Sequence, residues 1–468
     1  MRPRTLSEVA AAVGGRLAGG EARVTSVTVD SRDVPPGALY VALRGERADG
    51  HDHVGDAFAA GAVAAMVERE VPDAVPAVVV EDSGRALLDL AADERGSLSA
   101  RVVGITGSTG KTCTKDLTAA VLGARYGVRA SPASFNNEVG LPLTILGADD
   151  RTEALVCEMG SRGVGHIAML CEVARPHLGI VTNVGVAHFE LFGSRENIAR
   201  SKGELVEALP SDGCAVLNAD DPVVRTYGAR SRARVLTFGT SPDADVRAAD
   251  VELDDEGRAS FTILSGRERE RVELSVPGEH MVANALAAAA CGTALDVTLA
   301  ECAAALKGAR VSAWRMETFT TAGGVRVIND AYNANPTSMA AALQSARWLA
   351  RSSRLVAVLG HMAELGSISV EEHDGVGSLV ARMEVDRLIT VGEPAREIER
   401  AAVREGLSLR DAANHATVDD ALADLLAHVR PGDVVLIKAS RVAGLERLAD
   451  ALRSGATDPA SGRTGERT

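Results

Sequence analysis

The stretch Gly104-Ile105-Thr106-Gly107-Ser108-Thr109-Gly110-Lys111-Thr112 sets a lysine and a hydroxyl directly behind a glycine-rich turn. The apolar pair Val102-Val103 before it reads as a strand, and a helix is expected to start near Lys111. A turn of this kind aims several backbone N–H groups at one point, where the helix N-terminus adds positive potential. The chemistry that fits is triphosphate binding. Gly107, Ser108, Thr109 and Gly110 would cradle the phosphates, Lys111 would reach the β/γ-phosphates, and the Thr112 hydroxyl would hold Mg²⁺. The full P-loop spacing calls for glycine at position 105, and the chain has Ile105 there. The alternative is a plain strand–helix turn with a surface lysine; the order of strand, glycines, Lys-Thr and helix favours the phosphate site.

Further candidates stand where strands are expected to end. Ala154-Leu155-Val156-Cys157 reads as a buried strand ending on Glu158. In an open α/β sheet, ligands bind at the carboxyl ends of the strands. Beside a phosphate loop, a carboxylate there is a candidate Mg²⁺ ligand; a solvated strand-end acid is the alternative. His188 follows the strand Gly179-Ile180-Val181-Thr182, and Lys202 lies on the helix expected after Ser194. Glu158, His188 and Lys202 could converge on a nucleotide-bound metal. The polar loop Ser134 to Pro142 carries the adjacent amides Asn136 and Asn137, suited to a polar ligand and equally to a turn.

Basic residues are nearly all arginine: the only lysines are Lys111, Lys115, Lys202, Lys307 and Lys438. Lysine retained against that bias marks positions that need a compact or modifiable amine; Lys307 reads as chance retention.

The elements that must position these groups fall into three units. Length alone suggests about three domains. Residues 1–98 read as a small α/β domain, with an amphipathic helix from Leu6 to Leu17 and strands near 24–29, 38–43, 63–67 and 78–80. Residues 99–310 read as a central domain holding the phosphate loop. Its alternating segment Val246 to Val276 reads as an antiparallel excursion, and a helix follows over Met281 to Ala294. In residues 311–455, two strands ending at Asp330 precede strands near 355–359, 387–391 and 433–438 that alternate with helices, as in a doubly wound parallel sheet. Residues 456–468 read as a disordered tail.

Composition excludes several classes. Hydrophobic residues make up 46% and aromatics 3%, so the cores must be aliphatic. A net charge of −14 argues against nucleic-acid binding. No apolar run reaches membrane-spanning length and no signal pattern opens the chain, so a cytoplasmic protein without membrane insertion is expected. Six scattered cysteines without metal spacing read as reduced thiols.

Taken in order, the stretches Gly104 to Thr112, Ser134 to Leu141, Glu158 to Gly163, Asn183 to His188, Pro277 to Ala287, Trp314 to Glu317, Asp330 to Thr337 and Ile437 to Arg441 resemble the Mur ligases of peptidoglycan synthesis. The resemblance spans almost the whole chain. It implies an α/β three-domain Mur ligase architecture: a small N-terminal α/β domain for a UDP-sugar, a central P-loop parallel-sheet domain for ATP, and a C-terminal doubly wound, Rossmann-like domain. The Asp330-to-Pro336 stretch, and the absence of an Asp-Asn-Pro-Arg signature, resemble the dipeptide-adding branch rather than the branch that adds the third amino acid. The implied reaction is ATP-dependent ligation of D-alanyl-D-alanine to UDP-MurNAc-tripeptide through an acyl phosphate, in a monomer.

By the same resemblance, Thr112, Glu158 and His188 bind or support Mg²⁺. Lys202 matches a lysine that several family members carbamylate, with a direct electrostatic role as the alternative. Asn284, Arg315 and Asp330 match nucleotide-contacting positions, with Arg315 meeting the γ-phosphate. Lys438 matches a site near the phosphates or the incoming amine. Ser31, Arg32, Asp49, Gly50 and His51 match the UDP-sugar side; Asn136, Asn137, Ser161 and Arg162 match the central substrate cleft. Two positions depart from the pattern: Cys113 replaces a hydroxyl residue, and His361 stands where an acid is expected, so the 359–366 loop receives no chemistry. A folylpolyglutamate-type ligase or a nucleotide-dependent regulatory module are the other readings. The first shares the phosphate loop but lacks this kind of UDP-sugar-binding N-terminal domain, and retention of Glu158, His188, Lys202 and Arg315 argues against the degenerate site of the second.

Overall fold

A computed structural model describes residues 1–45, 48–70 and 76–455. The segment 456–468, expected to be a disordered tail, lies outside the described residues.

The strand Arg101–Thr106 is buried in the middle of a nine-stranded sheet because both its faces are apolar, the pattern of a parallel strand covered by helices on each side. It pairs in parallel with Ala154–Glu158 on one side and Leu178–Val181 on the other. The register sets Glu158 opposite Ile105 and Val181 opposite Thr106. The phosphate loop therefore leaves the sheet with Glu158 on one flank and Thr182-Asn183 on the other. Cys214–Asn218 and Arg234–Gly239 continue the parallel order.

The expected antiparallel excursion forms as Val246–Leu253, Arg258–Ser265 and Glu268–Pro277, but it is not separate. Val246–Leu253 pairs in parallel with Arg234–Gly239, so the three strands extend the central sheet. Their inward residues Phe261, Ile263 and Val272 join the core of the phosphate-loop helix Lys111–Leu122 and the helix Met281–Ala294. The alanines of the latter helix let the two helices pack closely.

Near the N-terminus, Ser26–Thr28, Ala38–Val41, Ala64–Val67 and Ala77–Val79 form a parallel sheet with Arg16–Ala18 antiparallel on one edge. This corrects the expected helix from Leu6 to Leu17: the helix is Leu6–Ala12. Gly14-Gly15 turns the chain, and Leu17 is recruited into the sheet opposite Val78. Sheet pairing outcompetes the helical periodicity there.

In the third unit, Arg326–Asn329, Val434–Lys438, Leu355–Gly360, Arg387–Val391 and Ala412–His415 run parallel, with Glu317–Thr320 antiparallel at one edge. Apolar clusters cover both faces, the doubly wound arrangement. Ala412–His415 is an edge strand the sequence did not advertise, since its residues are small or polar and only half-buried. All six cysteines are buried free thiols. Among the described residues, no helix is long and apolar enough to cross a membrane.

Candidate active site

The phosphate loop fits its neighbours with no room for side chains. Gly110 has φ +77°, and a Cβ there would sit 2.5 Å from Asn284 Oδ1; at Gly107 (φ +148°) it would sit 1.9 Å from Thr182 Oγ1. Asn183 fastens the loop from the next strand, its Oδ1 accepting from Thr109 N at 2.9 Å and its Nδ2 donating to Thr109 Oγ1 at 2.7 Å. Asn284 lies on the opposite wall and accepts from Thr114 Oγ1 at 3.2 Å. A side chain forced into the left-handed region costs about 1–2 kcal/mol. Gly110→Ala is therefore expected to weaken ADP binding by roughly tenfold, read by calorimetry. Unchanged affinity would mean that the loop grips phosphate in another shape.

Lys111 folds back over this loop, Nζ donating to Gly107 O at 2.8 Å and Ser108 O at 3.4 Å. Burial holds its ammonium below the ordinary lysine value; Glu158 opposes that shift and Arg315 adds to it. Thr112 Oγ1 donates to Glu158 Oε2 at 2.7 Å and accepts from Arg315 Nη2 at 2.8 Å. Glu158 Oε1 accepts from Asn136 Nδ2 at 2.8 Å, and Glu158 is 1% exposed. Among the described residues it makes no salt bridge, so a buried carboxylate is held only by neutral donors.

Lys202 is also buried. Its Nζ donates to Ser161 Oγ at 2.7 Å, and among the described residues it has no carboxylate partner within salt-bridge distance. Burial, with repulsion from Lys111, pulls its pKa down to about 7, against the pull of Glu204. His188, in the left-handed region at φ +61°, contacts the Glu364 carboxylate through Nδ1. Burial and the nearby Lys111 lower its pKa, while Glu364 opposes them.

From the third unit, Arg315 stacks over Tyr332, 4.2 Å from guanidinium carbon to ring centre, and its Nε is buried without a partner. Asp330 accepts from Met316 N at 3.1 Å and from Lys438 Nζ, which also donates to Asn333 O at 3.0 Å.

These groups share one cavity of about 440 Å³, lined by Ser108 to Thr112, Asn136, Asn137, Glu158, Ser161, Arg162, His188, Lys202, Asn284, Arg315, Asp330 and Lys438. Ser31, Arg32, Asp49, Gly50 and His51 do not line it. Arg32 forks onto Asp30 at 2.8 Å. His51 Nε2 accepts from Glu68 N at 2.9 Å, leaving Nδ1 to donate to Asp49 Oδ1 at 2.6 Å. Both amides of the Asn-Asn pair have partners inside the protein: Asn137 Oδ1 accepts from Gly140 N at 2.9 Å.

The 359–366 loop, to which no chemistry is assigned from its residues, supplies Glu364, an acid three residues beyond the expected position. Asn183 and Tyr332 were visible only as parts of longer polar stretches.

Among the described residues, no cluster of three or more His, Cys, Asp or Glu side chains is arranged to hold a metal. Mg²⁺ keeps several waters and takes one or two carboxylates plus substrate phosphates. Glu158, buried beside the Thr112 hydroxyl and without a salt-bridge partner among the described residues, fits that donor set.

The chain matches the family descriptions Mur ligase family, catalytic domain (residues 23–94), Mur ligase middle domain (105–292) and Mur ligase, glutamate ligase domain (314–441). It is 44% identical to the UDP-N-acetylmuramoyl-tripeptide–D-alanyl-D-alanine ligase of Mycobacterium tuberculosis, over 96% of this chain and 97% of that one. It is 34% identical to the Escherichia coli enzyme of the same name, over 97% and 99%. The crystal structure I of MurF from Acinetobacter baumannii superposes with a TM-score of 0.86 at 29% identity, covering 97% and 99% of the two chains. MurF ligase from Thermotoga maritima in complex with ADP superposes at 0.79 with 30% identity, covering 92% and 97%.

Proposed function

The chain belongs to the Mur ligase family, and on that footing we propose that it joins D-alanyl-D-alanine to UDP-MurNAc-tripeptide at the expense of ATP, giving UDP-MurNAc-pentapeptide for the cell wall. The observation that carries this reading is one cavity in which a phosphate loop, a buried carboxylate and an arginine from the third unit meet at Thr112.

A carboxylate is a poor electrophile, and phosphorylation gives it a leaving group. The free carboxylate of the tripeptide attacks the γ-phosphorus and ADP departs with the bridging oxygen's electron pair. The D-alanyl-D-alanine amine then adds to the acyl-phosphate carbonyl, the tetrahedral intermediate expels phosphate, and the nitrogen loses its proton. Both transfers bring anions together, so charge neutralisation is the main task. Lys111 turns from the loop carbonyls toward the β/γ-phosphates. Arg315, resting on Thr112 with a free Nε, meets the γ-phosphoryl oxygens. Asn284 and Asp330 contact the nucleotide, and Lys438, anchored on Asp330, faces the phosphates or the incoming amine. Thr112 and Glu158 would hold Mg²⁺, with His188 and a carbamylated Lys202 supporting. Bound there, the ion would neutralise charge on the transferring phosphoryl group.

Asn136, Asn137, Ser161 and Arg162 line the tripeptide's cleft in this reading, and Ser31, Arg32, Asp49, Gly50 and His51 take the UDP-sugar on the N-terminal sheet. We read the domains as residues 1–98, 99–310 and 311–455. Catalytic parts divided between the last two imply closure over ATP, which keeps water from the acyl phosphate. We place the enzyme in the cytoplasm as a monomer.

The test is phosphate release from ATP with UDP-MurNAc-tripeptide, with and without D-alanyl-D-alanine, and a product mass. Release requiring both, and a product heavier by the dipeptide, is expected. Nucleotide binding without dependence on either would move the function to regulation or another acceptor.

A further inference from the structure

One of the chain's few lysines has no part in the reaction above, yet it is among the most buried side chains. Lys115 lies one helical turn beyond Lys111 on the phosphate-loop helix, and its side chain is 2% exposed. Its Nζ donates to Ser131 O at 2.7 Å and Ala133 O at 2.7 Å, and pairs with Asp116 Oδ1 at 2.9 Å. An ammonium has three donors, and all three are used. Burying a charge is costly unless it is paired and hydrogen-bonded, and here the two carbonyls and Asp116 fill that need.

Those carbonyls open the loop that carries Asn136. At the second of them the backbone of Ala133 has φ +44°, a conformation an alanine adopts only when its surroundings hold it. Ser131 Oγ accepts from Glu158 N at 3.1 Å, Asn136 Nδ2 donates to Glu158 Oε1, and Asn136 O accepts from Gly160 N at 2.7 Å. The same loop meets the third unit where Ser134 Oγ contacts Tyr332 OH, beneath Arg315. Asp116, the lysine's ion partner, accepts from Ser312 N and Oγ at 2.8 Å each, at the entry to the third unit.

We propose that Lys115 is a positioning residue for the ligation: through the Ser131 and Ala133 carbonyls it locks the 131–137 loop to the phosphate-loop helix, so that Asn136 is aimed at the tripeptide's end of the cavity. Lys115 touches no reacting atom. The assignment rests on the ligase reading for its consequence in catalysis, but the loop's immobilisation can be measured without turnover.

Lys115→Met, checked for an unchanged melting profile, is the test. Loss of charge-assisted hydrogen bonds to two carbonyls is expected to raise KM for UDP-MurNAc-tripeptide by roughly 10- to 100-fold with KM for ATP little changed. Amide hydrogen exchange over residues 131–140 is expected to quicken by roughly tenfold or more while the phosphate-loop helix stays protected. Lys115→Arg, which keeps the donors, is expected to recover most of the loss. The double variant with Asn136→Ala is expected to lose no more than Asn136→Ala alone. Unchanged exchange over 131–140 would overturn the assignment, as would faster exchange spread across the whole central sheet with both KM values shifted alike. If Lys115→Met does not fold, Lys115→Gln is read by the same two measurements. A wild-type protein that ignores the tripeptide would defeat the ligase reading, and the exchange result would still decide whether Lys115 holds the loop.

Discussion

Lys202→Ala is expected to lose ligase activity by roughly 10³-fold or more, the scale of removing a preorganised charge from a transferring group, and added acetate or propionate is expected to restore a measurable part of it. The reason lies in what Lys202 faces. Its Nζ has Ser161 Oγ at 2.7 Å and, among the described residues, no acid within salt-bridge distance, while Lys111 shares its cavity. Burial first, and then the cationic neighbourhood, disfavour an unmodified ammonium there, and its pKa falls to about 7. The neutral amine is the form that adds CO₂, giving a carbamate anion and releasing a proton. The lowered pKa favours the neutral amine over what an ordinary lysine would hold near neutral pH, and that share falls as pH drops. Carbamylation is thus favoured on the alkaline side and lost on the acid side.

The alanine variant leaves space where the lysine stem lay, and a short carboxylic acid fills it with the same charge. Wild-type enzyme stripped of dissolved CO₂ is expected to lose activity and to regain it with bicarbonate, more fully on the alkaline side, and a carbon-13 carbamate signal is expected from labelled bicarbonate. Near-normal activity of Lys202→Ala with no response to acids would remove the anion from the mechanism.

What the sequence disclosed, and what it withheld, divides along contiguity. Lys111 and Thr112 were legible because a phosphate loop is local: glycines, lysine and hydroxyl follow one another and need no partner from afar. Glu158 was legible because strand ends in a parallel sheet share one edge, and the register with Arg101–Thr106 delivers it there. Glu364 was not, because its approach to His188 depends on how the third unit sits against the central one. The UDP-sugar candidates Ser31 to His51 show the same limit: they lie on their own sheet, outside the cavity, and no local pattern fixes the angle between sheets. Lys115 stood out only as a lysine kept against the arginine bias, and its role stayed hidden for another reason. A lysine satisfied by backbone carbonyls has no signature of its partners, since any residues at 131 and 133 supply the same oxygens. The strand Ala412–His415 went unseen because an edge strand needs only one covered face.

Arg315→Lys is expected to lower kcat by roughly 10³-fold, within the range of arginines that meet a transferring phosphoryl group, while KM for ATP changes far less. Charge is retained in this variant, so the loss isolates geometry. The guanidinium is held flat by the Tyr332 ring at 4.2 Å, donates through Nη2 to Thr112 Oγ1, and has a buried Nε without a hydrogen-bond partner. Lysine offers one point charge and no planar fork, so it cannot stack on Tyr332 and present two donors together. The backbone supports the same aim: Trp314 at φ +58° and Met316 at φ +52° flank Arg315, Met316 N is tied to Asp330, and Arg441 stacks on Trp314 at 4.4 Å. Two left-handed residues around one arginine are backbone strain of the sort that persists only where the surroundings impose it.

Because Arg315 belongs to the third unit and Thr112 to the central one, its contribution depends on the two being brought together. The variant is therefore expected to bind ADP nearly as well as wild type yet to form acyl phosphate slowly in single-turnover quenching. A comparable loss of ADP affinity and of the chemical step would instead assign Arg315 to ground-state binding. Retention of more than about a tenth of kcat in Arg315→Lys would mean that net charge, rather than the fork set by Tyr332, is what the phosphoryl group requires.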